Sequence, residues 1–485
     1  MQVLQMAYVL SAFGLALVGI NALVLSALYW HHRHREAACP PQPDRWPTVV
    51  VQLPVYNEQH VVERLVDAAC ELNYPPEKLI IQLLDDSSDE TLIHGANAVE
   101  RARAAGITAD HVLRTNRSGY KAGALAHGLE QTDAEFIAIF DADFIPPADF
   151  LKRTLPYFLA DEDLGLIQTR WAHLNAEYSH LTRAQALALD AHFVVEQTAR
   201  HRSGLLMNFA GTGGVWRRSC IEASGGWQHD TLSEDIDLSY RAQLAGWKSL
   251  YLPDMGVPGE IPPLMMGFKR QQSRWATGTV QCLRKLGTKV LMSSLAPWLK
   301  VQAVLHLSGY FIHPLMIAVL LLTLPLLLLG GLQTLPLAGL GIAMFGPPVQ
   351  ALLSQTRLYA NWKERLFAFP LLMLMGIGIA VNNTGAVVRG LKRGEQPFRR
   401  TPKYGSEGTW MTSLYTLPAD GSTWIEIALA LYALVTTGVA ISQASAVAPF
   451  MLLYAAGLTY VAVTSLSQTS SFRRGTTQVW SLSET

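Results

Sequence analysis

At 485 residues the chain exceeds one ordinary domain, and with 50% hydrophobic and only 16% charged residues it falls well under the roughly 25% charged content of soluble globular proteins. Its 38 Lys and Arg balance 38 Asp and Glu, so no overall basic field points to a nucleic-acid partner. Cys39, Cys70, Cys220 and Cys282 are scattered without a C-x-x-C pair, which argues against a zinc site or disulfide framework and suits a reducing compartment.

The first apolar run, residues 6–30, carries no charge and is longer than the roughly 20 residues that span a bilayer. A secretory signal would begin with basic residues and end at a small-residue cleavage site. Here the basic cluster His31-His32-Arg33-His34-Arg35 follows the run instead. The positive-inside rule then places residue 31 onward in the cytosol, with the run as a retained anchor. After a Pro-rich linker at 31–47, apolar runs at 49–54, 79–84 and 136–140 read as buried strands, with helices at 60–72, 91–105 and 121–131 between them. That alternation predicts an α/β domain whose mostly parallel sheet is covered on both faces. Ligands of such sheets sit beyond the carboxyl ends of the strands. Polar residues stand at those ends: Asn57-Glu58, Asp85-Asp86 and Asp141-Ala-Asp143.

Beyond residue 300, apolar runs occur at about 301–329, 335–355, 366–388, 424–442 and 447–465. If all crossed a membrane, Arg389, Lys392, Arg393, Arg399, Arg400 and Lys403 would lie outside, against the positive-inside rule. The run at 366–388, which carries Gly376, Gly378, Gly385 and Asn382-Asn383, is therefore read as interfacial, and the others as crossings.

Asp141 and Asp143 follow the apolar strand 136–140. Carboxylates so placed can approach one hard cation and leave positions for substrate phosphates; a solvated loop with an Asx-turn has the same sequence. Asp85-Asp86 ends a second strand in the same way. Asp235, in Ser233-Glu-Asp-Ile-Asp237, precedes a helical stretch at 238–244. It reads either as a helix-terminal acid or as a general base for an acceptor hydroxyl. Gln271, Arg274 and Trp275 either anchor an amphipathic helix at a membrane surface or bind diphosphate and the apolar face of a sugar. Gly211-Thr-Gly213-Gly214 lacks the G-x-G-x-x-G and Walker contexts, which excludes a Rossmann or P-loop reading and leaves close backbone approach to a ligand.

Taken in order, Pro54-Val-Tyr-Asn-Glu58, Asp85-Asp86, Gly119-Tyr-Lys-Ala-Gly123, Asp141-Ala-Asp143, Phe209-Ala-Gly-Thr212, Glu234-Asp235 and Gln271-x-x-Arg274-Trp275 resemble the signature of membrane-integrated family 2 glycosyltransferases. That group includes cellulose synthases and the cellulose-synthase-like mannan and glucomannan synthases. The resemblance covers about 48–405 and implies a GT-A fold beside an α-helical transmembrane region. It implies that Tyr56, Glu58, Asp85 and Asp86 hold the base and ribose of a UDP- or GDP-sugar, and that Lys121 meets the diphosphate. Asp141 would contact nucleotide and metal, Asp143 would ligate Mg2+ or Mn2+, and Asp235 would be the catalytic base. Gln271, Arg274 and Trp275 would hold the diphosphate and the acceptor end, with Gly211 and Thr212 near the acceptor. Phe398-Arg-Arg-Thr401-Pro-Lys403 is similar to the gating-loop motif of cellulose synthases, with Arg400 where valine is usual.

The expected organisation is an anchor at 1–30, a linker at 31–47, a cytosolic GT-A domain at 48–262 and amphipathic interface helices at 263–300. Two transmembrane helices follow at 301–355, an interfacial helix and gating-like loop at 356–405, and two further transmembrane helices with a cytosolic tail at 406–485. The expected activity is elongation of a β-linked glycan by an inverting, metal-dependent enzyme of the plasma (inner) membrane, surrounded by membrane lipids. Transfer of one sugar to a ceramide- or diacylglycerol-type lipid is the rival of the same chemistry. A transporter or scaffold with an inactive nucleotide-sugar domain is the rival of another class.

Overall fold

The structure, a computed structural model, describes residues 1–335, 338–394, 401, 403, 405, 420–444 and 446–482, the side chains of 338 and 470–482 excepted. Among these, a seven-stranded sheet runs in the order β3-β2-β1-β4-β6-β5-β7. Its strands are β1 (Val49–Val55), β2 (Leu79–Asp85), β3 (Thr108–Leu113), β4 (Phe136–Ile139), β5 (Leu164–His173), β6 (Gly214–Arg217) and β7 (Lys248–Gly259). β1 to β4 are mutually parallel, β6 is antiparallel to both β4 and β5, and β7 returns parallel to β5. The sheet is thus mixed and mostly parallel, as expected.

The strands at 49–55, 79–85 and 136–139 were legible because both of their faces are buried, which makes them continuous apolar runs. Val49, Val51 and Leu53 pack with Val62, Leu65 and Val99 on one side. Val50, Ile137 and Ile139 pack with Leu125, Trp216 and Leu238 on the other. Helices Val62–Cys70, Thr91–Ala104 and Tyr120–Glu130 lie where the sequence predicts them. β3 mixes exposed and buried positions at the sheet edge, and β5 and β7 pair with a register shift after Thr169. Such strands lack the period that a sequence reading uses. β1, β2 and β4 end on one edge, which sets Tyr56, Asp86 and Asp141 side by side.

Among the described residues, four helices are long and apolar enough to cross a membrane: Gln2–His32, Gly309–Leu328, Gly421–Gln443 and Ala448–Thr469. The run at 335–355, expected as a crossing helix, is not one continuous helix. Ala338–Phe345 is a 3-10 helix and Gly346–Leu358 an α-helix. Pro347 and Pro348 open the second piece, where missing N–H groups cost no intrahelical bond. The segment still runs antiparallel along Gln2–His32 for most of its length. Gln5 Nε2 donates to the Gly331 carbonyl at 2.9 Å, and Leu353 and Leu358 join the cluster of Leu25 and Tyr29 near the other end. Between them, a Cβ at Gly19 would stand 2.2 Å from the Ala343 carbonyl oxygen, so only glycine permits this approach.

The chain then returns to the sheet domain, where Gln355 donates to Asp190 at 3.0 Å and Arg365 pairs with Glu177 at 2.7 Å. Trp362–Gly378 and Ala380–Leu391 form a pair bent by 48°. Both of its ends meet the domain side, through Arg365 at the start and through Arg389, which donates to Ser273 at 2.7 Å, at the finish. The last two apolar helices meet the far rim where Gln333 donates to the Gln443 carbonyl at 2.8 Å. They meet the domain rim where Gln468 accepts from the Met265 amide at 2.8 Å.

The helix Met265–Met292 joins the two regions, and its Lys269 pairs with Glu426 at 2.8 Å, both side chains fully buried. Breaking a buried ion pair on one side leaves an uncompensated charge, which costs about 3–5 kcal/mol. Lys269→Met should therefore lower the thermal stability of the detergent-purified protein strongly. Lys269→Met with Glu426→Gln should recover most of the loss, and equal melting temperatures for the single variant and wild type would refute the coupling.

Candidate active site

Two adjoining cavities open at the carboxyl edge of the sheet. Tyr56, Glu58, Asp86 and Arg117 line one, and Gly211, Asp235, Gln271 and Trp275 line the other. Lys121, Asp141, Asp143, Arg274 and Lys403 border both. The sequence-predicted residues are therefore largely brought together. Asn57, at φ 54°, holds the first two strand ends in place. Its amide donates to Ser87 Oγ at 2.8 Å and its Oδ1 accepts from the Ser88 amide at 2.8 Å.

Asp85 points elsewhere. Its carboxylate is fully buried, bonds His111 Nε2 at 2.9 Å and accepts from the Ser87 amide at 2.8 Å, and it lines neither cavity. Neighbouring residues of a strand face opposite sides, so only Asp86 of the pair can face the ligand edge. Thr212 is likewise buried, with Oγ1 accepting from the Asp141 amide at 2.9 Å, so it fixes the backbone at Asp141. Phe398 lies outside the described residues; Thr401 and Lys403 border the nucleotide-side cavity.

Asp86 is gripped by the Arg114 guanidinium, whose Nε donates at 2.8 Å, and the Arg117 guanidinium lies 3.3 Å over the Tyr56 ring. Neither arginine was singled out from the sequence. Their one signal there is a pair of cations in the loop leading to Gly119. Lys121 Nζ donates to Asp141 Oδ1 at 2.6 Å and to the Gly211 carbonyl at 2.7 Å, with Glu234 at 3.7 Å. Burial works against its charge, but Asp141, Glu234 and Asp235 outweigh burial and hold the ammonium above its ordinary value. Burial raises the Asp143 carboxyl above its ordinary value, with Lys403, which donates to Asp143 Oδ2, pulling the other way.

Each carboxylate of the Asp141–Asp143 pair thus already holds a cationic nitrogen, and the donors are hard oxygens suited to Mg2+ or Mn2+. Among the described residues no group of three or more His, Cys, Asp or Glu forms a complete metal cage. The arrangement fits a divalent ion held by two protein carboxylates, with its other positions left to substrate oxygens.

Asp235 lies in the first turn of helix Glu234–Leu244, and one of its oxygens accepts from the Ile236 amide at 2.8 Å. A Cβ at Gly211, which adopts φ +85°, would stand 3.1 Å from the other oxygen, so glycine here keeps the carboxylate accessible. Burial first, then the Glu234 charge, push the Asp235 carboxyl up to about 7 against the pull of Lys121. Gln271, Arg274 and Trp275, three and four residues apart on Met265–Met292, share one helix face. The Trp275 ring stands 6.3 Å from that of Trp171, a residue of β5 that the sequence reading passed over.

From Asp235 and Trp275 a further cavity leads past His192, Glu196 and Arg200 to Asn21, His313 and Gln350 in the apolar helices. Its wall includes a π-helical segment, Ala191–Gln197, a local distortion with no signature in the apolar pattern.

A model of the glycosyltransferase-like family 2 matches residues 47–278. Glucomannan 4-β-mannosyltransferase 1 of Oryza sativa subsp. japonica is 38% identical over 283 residues, which cover 56% of this chain and 54% of that protein. Glucomannan 4-β-mannosyltransferase 9 of Arabidopsis thaliana is 40% identical over 265 residues, or 53% of this chain and 50% of that protein. The chain spans about half the length of the curated relatives it matches. A solved mannosyltransferase from Pyrobaculum calidifontis, in complex with GDP-Man and Mn2+, shares the fold at a TM-score of 0.54 and 21% identity, over 81% of this chain and 99% of that one. The sheet domain has the GT-A fold, and residues 47–278 of the chain match the glycosyltransferase-like family 2.

Proposed function

We propose that this protein elongates a β-linked glycan of glucan, mannan or glucomannan type from a UDP- or GDP-sugar and passes the product into its membrane helices. The observation that carries the reading is the position of Asp235, where the cavity of Lys121 and Asp141 meets the cavity that continues between the apolar helices. The likeness to glucomannan 4-β-mannosyltransferases supports a mannosyl donor.

In this reading, Tyr56 with Arg117 stacked on it, Glu58 and Asp86 bind the base and ribose. Lys121, Arg274 and Lys403 face the diphosphate. Asp235 takes the proton of the acceptor hydroxyl as that oxygen attacks the donor's anomeric carbon. The bond from that carbon to the diphosphate breaks in line, which converts an α-linked donor to a β-linked product. Lys121 meets the negative charge that grows on the departing diphosphate, in a site too buried for water to do so. A Mg2+ or Mn2+ ion held by Asp141 and Asp143 would supply further positive charge there. Thr401 and Lys403 would belong to a loop that closes on the donor.

A cavity that continues from Asp235 between the apolar helices accommodates a glycan acceptor better than a lipid headgroup that leaves after one transfer. We further place the sheet domain, the bent pair and the basic residues from Arg389 onward on the cytosolic side of the plasma (inner) membrane. Gln2–His32, Gly309–Leu328, the broken segment at 338–358 and the last two apolar helices would be crossings in contact with membrane lipids.

Purified enzyme incubated with radiolabelled GDP-mannose, UDP-glucose and related donors should give a product that grows without added lipid. A product formed only with added lipid and carrying one sugar would return the reading to single transfer. Chelation of divalent cations should abolish transfer, and Mn2+ or Mg2+ should restore it; full activity in excess chelator would remove the ion from the reaction. Asp235→Asn should lose about 10²–10⁴-fold in turnover with donor affinity little changed. A base must be ionised to act, so kcat/KM should rise with pH through about 7 and fall about tenfold per unit below it. Glu234→Gln removes a charge that raises the Asp235 value, so it should move that limb to lower pH; a flat profile would deny Asp235 its role.

A further inference from the structure

His173 is the last residue of β5 and shares a sheet face with Trp171, two positions before it. Its side chain is only 3% exposed, yet its ring borders the cavity of Lys121, Asp143 and Asp235. It does not border the longer cavity that runs into the helices. The space it faces is therefore the one between the diphosphate-binding cations and the base, next to the Trp171 and Trp275 rings.

Behind the ring stands Asp190, a carboxylate that is fully buried. Asp190 Oδ1 lies 3.2 Å from His173 Nε2, and Oδ2 accepts from Gln355 Nε2 at 3.0 Å with Arg365 at 3.9 Å. Burial opposes its charge, but the bonds from His173 and Gln355 and the Arg365 guanidinium outweigh it, and the carboxyl sits below its ordinary value. An ionised carboxylate only accepts hydrogen bonds, so an imidazole with a single N–H donates it to Asp190 from Nε2. Nδ1 is then an acceptor, and among the described residues it hydrogen-bonds no protein group.

We propose that His173, oriented by Asp190, is a specificity-determining residue whose Nδ1 accepts a hydrogen bond from one hydroxyl of the donor sugar; this rests on the glycosyl-transfer reading above. A sugar packed against Trp171 and Trp275 presents its hydroxyls edgewise, where an acceptor of fixed direction selects the hydroxyl that points toward it. A donor that lacks that hydroxyl leaves Nδ1 unmatched in a cavity that holds little water. Asp190 acts through His173 and is a positioning residue. Gln355 and Arg365 hold it from the segments that pack along the apolar helices, so the same contact ties sugar selection to the membrane region.

The test compares the full-length enzyme with His173→Phe, His173→Asn and Asp190→Asn, using the preferred nucleotide sugar and its set of monodeoxy analogues. His173→Phe should lose about tenfold in kcat/KM with the intact donor. One monodeoxy donor should be about tenfold poorer for wild type yet lose nothing more with His173→Phe, while with the other analogues the two losses multiply. His173→Asn, whose amide oxygen can stand near the Nδ1 position, should recover most of the loss. Asp190→Asn, whose amide can donate to Nε2 and reverse the tautomer, should show the same donor-selective pattern as His173→Phe. A His173→Phe loss that is absent, or equal for every analogue, would overturn the contact. Reduced stability with unchanged selectivity in Asp190→Asn would overturn the positioning role. If wild type transfers sugar from no donor, the glycosyl-transfer reading falls and this inference with it; if wild type is active and His173→Phe is indifferent to the analogues, only the inference fails.

Discussion

The carboxylates Asp86, Asp141, Asp143, Glu234 and Asp235 crowd one edge of a sheet, and their mutual repulsion is the constraint that organises this site. Like charges brought together away from water would protonate or push apart unless cations stand among them. Arg114 grips Asp86, Lys121 lies between Asp141 and Glu234, and Lys403 reaches Asp143. Asp235 receives the least compensation. Its nearest charged neighbour in sequence is another carboxylate, so it is the acid whose proton affinity rises into the neutral range. The crowding that ion pairs offset elsewhere is what raises the proton affinity of Asp235, as a proton acceptor requires.

This distribution of charge depends on the backbone. Parallel strands that end together set the acids at one level, and the left-handed Gly211 keeps the Asp235 carboxylate open by carrying no side chain. Residues that face away from the ligand serve the same end. Asp85 ties β2 to His111 of β3, and Thr212 fixes the amide of Asp141.

The sheet domain and the helical region are joined by buried polar contacts rather than by apolar packing alone. Lys269 meets Glu426, Asp190 meets Gln355 and Arg365, and Arg202 bonds the carbonyls that close the N-terminal helix. Such contacts are directional and costly to break one side at a time, so they fix how the active-site edge faces the long cavity. The helix of Gln271, Arg274 and Trp275 is itself the element that carries Lys269. One helix therefore carries both the cavity-lining residues and the buried contact to the apolar helices.

The sequence alone determined whatever depends on runs of like character. Strands buried on both faces at 49–55, 79–85 and 136–139 are apolar throughout, the helices between them are amphipathic, and the N-terminal apolar run has no charge to break it. Acids at the ends of such strands could be placed at the ligand edge because strand ends are set by the same apolar pattern. Tertiary structure decided the rest, because the pattern of one segment says nothing of what lies against it. It separated Asp86 from Asp85, set Arg114 and Arg117 against Asp86 and Tyr56, and brought Trp171 beside Trp275. The run at 335–355 became a 3-10 turn and a shorter helix because prolines and a close approach to Gly19 fit the available groove. His173 and Asp190 look in the sequence like two isolated polar residues; only the pairing of β5 with the helix end at Asp190 makes them a single group beside the cavity of Lys121 and Asp235.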